Sequence, residues 1–201
     1  MDWCGWRERS ELSRDYHDSE WGVPLHDDRL QFEFLMMEAL QCGLNWNMML
    51  KKRGVFRECF VDFDFEKVAL YGEADIRRIM DTEGMIRSRR KIEAVINNAA
   101  CFCDIREEYG TFSDYLWSWS GGRTILYSGH GKGKMPVSNG LSQRIAADLK
   151  KRGFKFLGPV TVYSHLQACG VINDHSVNCP RYNMINENNP TVKKRRDKEV
   201  Y

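Results

Sequence analysis

One stretch constrains this chain more than any other: EALQCGLNWNMMLKKR, residues 38–53. It reads as the end of one helix, a sharp corner and the start of another. Gly43 can end the first helix in a left-handed turn without steric cost. Asn45 can cap the second, with Trp46 in its first turn. A carboxylate, Glu38, therefore stands just before the corner in an otherwise apolar run, and an indole just after it. Lys51, Lys52 and Arg53 follow one to two turns later. An acid, a large aromatic face and a basic cluster suit a flat, positively charged ligand attached to a polyanion. The same residues also suit a buried tryptophan beside a glutamate–lysine pair, and local composition leaves both readings open.

The rest of the chain reads as helices. Asp27 or Asp28 can cap a helix in which Phe32, Leu35, Met36, Ala39, Leu40 and Gly43 follow the i, i+3, i+4, i+7 series. Phe34, Glu38 and Gln41 form a second, semi-polar face, which needs a neighbour of its own such as a cleft. The helix after the corner is expected to end near Arg53 and Gly54. Asp64 is a further N-cap, and a helix is expected from Glu73 towards Asp81. Gly84 then breaks the chain ahead of a stripe of Ile92, Val95, Ile96, Ala99 and Cys103. Helix, glycine hairpin, helix can grip a DNA backbone. Free N–H groups at the second helix start take phosphate, and Arg87, Arg89, Arg90 and Lys91 add charge. Pro159 can open a late helix. Short β-like patches such as TILY are too few to build a sheet, so the expected class is all-α. The residues from Pro190 are polar and basic with no apolar face and are expected to be disordered.

With 201 residues, the chain can bury a real core as one unit. Its formal net charge is only +2, which excludes a general nucleic-acid sponge and confines anion binding to local clusters. Seven cysteines, an odd count without a signal peptide or a long apolar run, point to reduced thiols in a cytoplasmic protein with no membrane span. Four residues from the two chain ends form a metal-binding pattern: Cys4 and His17 near the start, His175 and Cys179 near the end. The last two share a face if that segment is helical. Two thiolates and two neutral imidazoles would give Zn²⁺ four ligands at zero net charge. A closed set of four implies a structural role, tying both ends together.

CGW (4–6), YHDSEWGVP (16–24), GLNW (43–46), LKKR (50–53), KKRGFKFLGP (150–159) and QACGVINDH (167–175) together resemble the 3-methyladenine DNA glycosylase I family. The resemblance spans residues 2–182 in order; the basic tail, 183–201, lies outside it and is expected to be disordered. It implies a helix-hairpin-helix fold with a small zinc-stabilised lobe built from both chain ends, within a single unit 1–182. It further implies zinc on Cys4, His17, His175 and Cys179, a base pocket of Glu38, Trp46 and Tyr16 with Trp6 and Trp21 close by, and DNA held at the hairpin around Gly84. Two positions depart from the family: Ala39 where it usually has Gly, and Asn45 where it often has Ser.

The implied activity is monofunctional release of N3-methyladenine from alkylated double-stranded DNA, leaving an abasic site. Trp46 would stack on the cationic base. Glu38 would accept from its amine and favour the cation. Tyr16 would close the pocket, and free 3-methyladenine would leave as product. Leu44 is a wedge candidate or a core leucine. A monomer is expected. Two other readings compete: a non-catalytic zinc-containing DNA- or lesion-binding module, and a zinc hydrolase, which needs an open metal position.

Overall fold

The computed structural model describes residues 3–41, 43–130, 135–196 and 200. Helices dominate. After a short 3-10 helix, Trp3–Arg9, come α1 (Glu11–Ser19), α2 (Asp28–Leu40), α3 (Trp46–Cys59), α4 (Phe65–Val68), α5 (Glu73–Asp81), α6 (Arg89–Tyr109) and α7 (Phe112–Ser118). The strand β1 (Thr124–Tyr127) precedes α8 (Gly140–Lys151), α9 (Pro159–Ala168), α10 (Pro180–Asn188) and the strand β2 (Thr191–Lys194).

Helix starts follow local chemistry. Asp27 caps α2 by accepting from Leu30 N, Asn45 caps α3 from Met48 N, and Asp64 caps α4 from Lys67 N. Pro159 opens α9 as its first residue. The longest helix, α6, packs against α2, α4, α5 and α7. Its stripe Ile92, Val95, Ala99, Phe102 and Ile105 is fully buried. Each such large apolar side chain contributes about 1.5–3 kcal/mol by leaving water. Phe102 stacks on Phe112, with centroids 4.1 Å apart.

Three expectations change. The helix after the corner passes through Gly54 and ends at Cys59, because Phe56 and Cys59 continue its buried face. TILY does form a strand, β1, paired in parallel with β2 in the register Thr124–Thr191 to Tyr127–Lys194. The tail from Asn183, expected to be disordered, instead continues α10, where Ile185 is buried, and then supplies β2, where Val192 packs on the core. All four β1 residues are buried, so an extended tail gains main-chain partners there without an apolar face of its own.

The site is positioned by three junctions. The α2–α3 corner sets Glu38 and Trp46 on either side of Gly43, whose φ is +77°. Helix α1 leans on α3. The loop after α1 docks on the end of α9 through Gly22 N to Ala168 O (3.1 Å) and Leu25 N to Cys169 O (3.1 Å).

Candidate active site and metal cluster

A pocket of about 260 Å³ opens where α1, the corner and α9 meet. Trp6, Tyr16, Trp21, Glu38 and Trp46, the five residues expected to form a base pocket, all line it. Their rings make a continuous aromatic wall. Trp6 meets Trp21 edge-on at 5.5 Å, and the Tyr16 ring lies 6.1 Å from Trp6 and 5.7 Å from Trp46. Beneath them Tyr16 meets Phe34 at 6.1 Å, so the semi-polar face of α2 does have the neighbour it required. Gln41, from that same face, also lines the pocket.

The pocket's polar groups are poorly satisfied by the protein itself. Among the described residues, the buried Tyr16 hydroxyl and the buried Trp46 Nε1 have no hydrogen-bond partner. Glu38 is half-buried and lines the pocket, and desolvation raises its carboxyl from 4.5 to about 8. Burial likewise holds the Tyr16 phenol well above its ordinary range. An unionised acid, an unpaired hydroxyl and an unpaired indole N–H around one void suit a polar, planar ligand. A positive charge on that ligand would favour the ionised form of Glu38.

The basic run after Trp46 divides into separate roles. Arg53 is drawn inward, donating to Glu33 (2.5 Å) and Glu20 (2.8 Å), while Arg57 holds Glu33 through two bonds of 2.9 and 3.0 Å. Lys52 donates to the Gly84 carbonyl and ties the hairpin to α3. Lys51 stays exposed.

At the hairpin, Gly84 has φ +79° and Ser88 makes no side-chain cap on α6. The main-chain N–H groups of Ile86, Arg87, Arg89 and Arg90 have no protein acceptor among the described residues. Arg87 is exposed. Arg89 is engaged by Glu73 and Glu93, and Lys91 donates to the Ala39 carbonyl and lies over the Phe156 ring at 5.0 Å. Leu44 is half-buried and packs on the core from the corner.

Cys4, His17, His175 and Cys179 converge, all buried, with ligand atoms within 4.8 Å of one another. The segment between His175 and Cys179 is not helical, so the condition for a shared helical face is not met. The two residues flank a turn in which Cys179 N donates to Ser176 O, and Cys179 is the residue before α10. The donor set fits a tetrahedral dication. Cys4 Sγ is 3.6 Å from His175 Nδ1, and Cys179 Sγ is 3.7 Å from both His17 Nε2 and His175 Nδ1. A tetrahedron with Zn–S and Zn–N bonds of standard length has S–N edges of about 3.6 Å. The outer nitrogens are also held: His17 Nδ1 by Asp18 Oδ1 at 2.6 Å, His175 Nε2 by the Trp21 carbonyl at 3.0 Å. Such outer partners orient ligating imidazoles. The Trp21 contact links the cluster to the pocket wall. Burial pushes the Cys4 thiol up to about 11, an effect that a bound dication reverses. Cys42 lies outside the described residues; Cys59 and Cys169 are buried in the core.

Sequence reasoning did not single out Ser164 and Gln167, which face the pocket from α9. They are three apart, hence on one side of the helix. Nothing in their own pattern distinguishes that side until α9 packs on α2.

The family model described as Methyladenine glycosylase matches residues 6–182. DNA-3-methyladenine glycosylase 1 of Escherichia coli (strain K12) is 41% identical over 182 residues, covering 90% of this chain and 97% of that protein. A solved 3-methyladenine DNA glycosylase I, a tyrosine-to-phenylalanine variant in complex with 3-methyladenine, superposes with a TM-score of 0.83 at 36% identity, covering 90% of this chain and 97% of that one. A glutamate-to-glutamine variant of the Staphylococcus aureus enzyme gives 0.83 at 37%, with the same coverage. The chain belongs to the methyladenine glycosylase family.

Proposed function

We propose that this protein is a DNA-3-methyladenine glycosylase, which extrudes N3-methyladenine from alkylated duplex DNA and hydrolyses its glycosidic bond. The observation that carries the reading is a pocket in which an aromatic wall surrounds a desolvated carboxyl, in a chain of this family.

Methylation at N3 makes the base positive while it is attached to sugar, so it is already a good leaving group. Three tasks remain: extrusion, exclusion of adenine and assistance to cleavage. Trp46 stacks on the extruded base, and Tyr16 closes over it with its unpaired hydroxyl. Entry of the cation draws the Glu38 carboxyl towards its ionised form, and the carboxylate accepts from the exocyclic amine. Neutral adenine gains less from either contact. As the bond from the sugar to the base breaks, the base nitrogen keeps the electron pair and the base leaves neutral. Water adds to the sugar carbon and releases a proton to solvent. Among the described residues no lysine lines the pocket to form a Schiff base, which supports a monofunctional reaction ending at an abasic site. We place phosphate on the open N–H groups before α6 with Arg87, and Leu44 against the base stack. Arg89 and Lys91 order the hairpin: each is held by protein partners.

Zinc on Cys4, His17, His175 and Cys179 belongs to the same proposal. All four protein ligands are used, so its role is to join the chain ends and support Trp21, and no reaction step runs through it. The enzyme acts as a cytoplasmic monomer with alkylated DNA as its partner; no helix among the described residues is long and apolar enough to cross a membrane.

The test is product analysis on a methylated duplex. Release of free 3-methyladenine, with strands intact until alkali cleaves them, supports the reading. Strand breaks that precede alkali would remove the monofunctional step, and lesion binding without base release would remove the enzyme.

A further inference from the structure

The pocket contains a polar group whose orientation is fixed from behind. Gln167 lines the pocket, and its Nε2 donates to Asp174 Oδ2 at 2.9 Å. Asp174 is 1% exposed and accepts two further hydrogen bonds, from the Tyr163 hydroxyl (2.6 Å) and from His130 Nδ1 (2.7 Å). Tyr163 and His130 are buried too. A carboxylate only accepts, so the amide cannot be turned round: its nitrogen must face Asp174. The carbonyl Oε1 is then directed away from Asp174. It has no protein donor among the described residues, and because Gln167 lines the pocket the carbonyl is the group it can offer to a ligand there.

We infer that Gln167 is a specificity-determining residue, a hydrogen-bond acceptor of the pocket in addition to Glu38, and that Asp174, Tyr163 and His130 are positioning residues that hold it so. The inference rests on the glycosylase reading above and narrows its substrate. An acceptor pair suits a base edge carrying an amine, as in 3-methyladenine. At the corresponding position 3-methylguanine carries a carbonyl, itself an acceptor. Two acceptors brought together in a desolvated pocket leave both unpaired, and sites built around hydrogen bonds reject such analogues strongly. An amide free to rotate would accept either base. Locking by a buried carboxylate removes that freedom.

The experiment measures release of 3-methyladenine and 3-methylguanine from the same methylated duplex by wild type, Gln167→Met and Tyr163→Phe. Methionine keeps the length of the side chain and removes the acceptor. We expect Gln167→Met to lower 3-methyladenine release by about tenfold while 3-methylguanine release holds or rises, so that the ratio falls at least tenfold. Tyr163→Phe leaves Gln167 in place but loosens Asp174, and the ratio should fall in the same direction by about threefold. Melting temperature and zinc content are recorded for each variant. A merely structural role would lower both releases together; an unchanged ratio in both variants would overturn the inference and leave the glycosylase reading standing. A folded wild type that releases neither base would overturn that reading and this inference with it.

Discussion

Replacing Glu38 by Gln should make the ligand-free protein more stable, and by an amount that depends on pH. Burial raises the Glu38 carboxyl from 4.5 to about 8. Between those values the folded protein keeps a proton that the unfolded chain has lost. Unfolding therefore releases a proton, and stability falls as pH rises from about 4.5 to about 8, then levels off. Over that interval the loss is about 1.4 kcal/mol per pH unit, which reaches roughly 3 kcal/mol at pH 7. Because the pocket mouth admits water, this is an upper value. Glutamine fills the same space with nothing to ionise. At pH 7 the variant should melt higher by up to about 6–12 °C for a chain of this size. The two proteins should converge near pH 4. The assay is thermal unfolding of both proteins across pH 4–9, without DNA or free base. A melting difference that is flat across that range would refute the argument, because it would mean that Glu38 titrates in the fold as it does in the unfolded chain.

Trp46→Ala should weaken binding of free 3-methyladenine by about 1–3 kcal/mol, measured by calorimetry, if stacking holds the base; unchanged affinity would make the indole structural. Cys179→Ser should lose zinc by metal analysis and cost several kcal/mol in melting, with base release persisting below the lowered transition. Gly170→Ala should destabilise by about 2–3 kcal/mol, because φ is +75° and an added Cβ would sit 2.5 Å from Pro24 N and 2.6 Å from Val23 C. The displaced loop carries Trp21 and leads to Gly22, so zinc retention should suffer as well; unaltered melting would mean that the loop moves freely.

What the sequence made legible was mostly local. Asp27, Asn45 and Asp64 announce their helices because a cap needs only the next three residues. The corner at Gly43, the Gly84 turn and the stripe from Ile92 to Ala99 are legible for the same reason. The Cys/His cluster that could hold a metal was legible from residue type, and a turn, not a helix, joins His175 and Cys179. What stayed hidden depends on partners distant in sequence. The β1 strand looked like an isolated patch because its partner, Thr191–Lys194, has no apolar pattern of its own. Similarly, the fates of Lys52 and Arg53 are decided by Gly84 and by Glu33 and Glu20, none of which their own neighbourhood reveals. Ser164 and Gln167 became pocket residues only through the docking of α9. Of the two departures from the family, Asn45 makes the helix cap itself and Ala39 is buried on α2 with its carbonyl held by Lys91, so neither obstructs the pocket.

The central claim is that a desolvated carboxyl and an aromatic wall recognise a cationic base and assist its departure. It is tested most directly by excision from one methylated duplex with wild type and Glu38→Gln side by side, both folded and with matched metal content. Free 3-methyladenine from wild type, with release slowed by orders of magnitude in the more stable Glu38→Gln, is the expected result. Equal release by the two proteins would remove Glu38 from the chemistry, and no release by wild type would contradict the account as a whole.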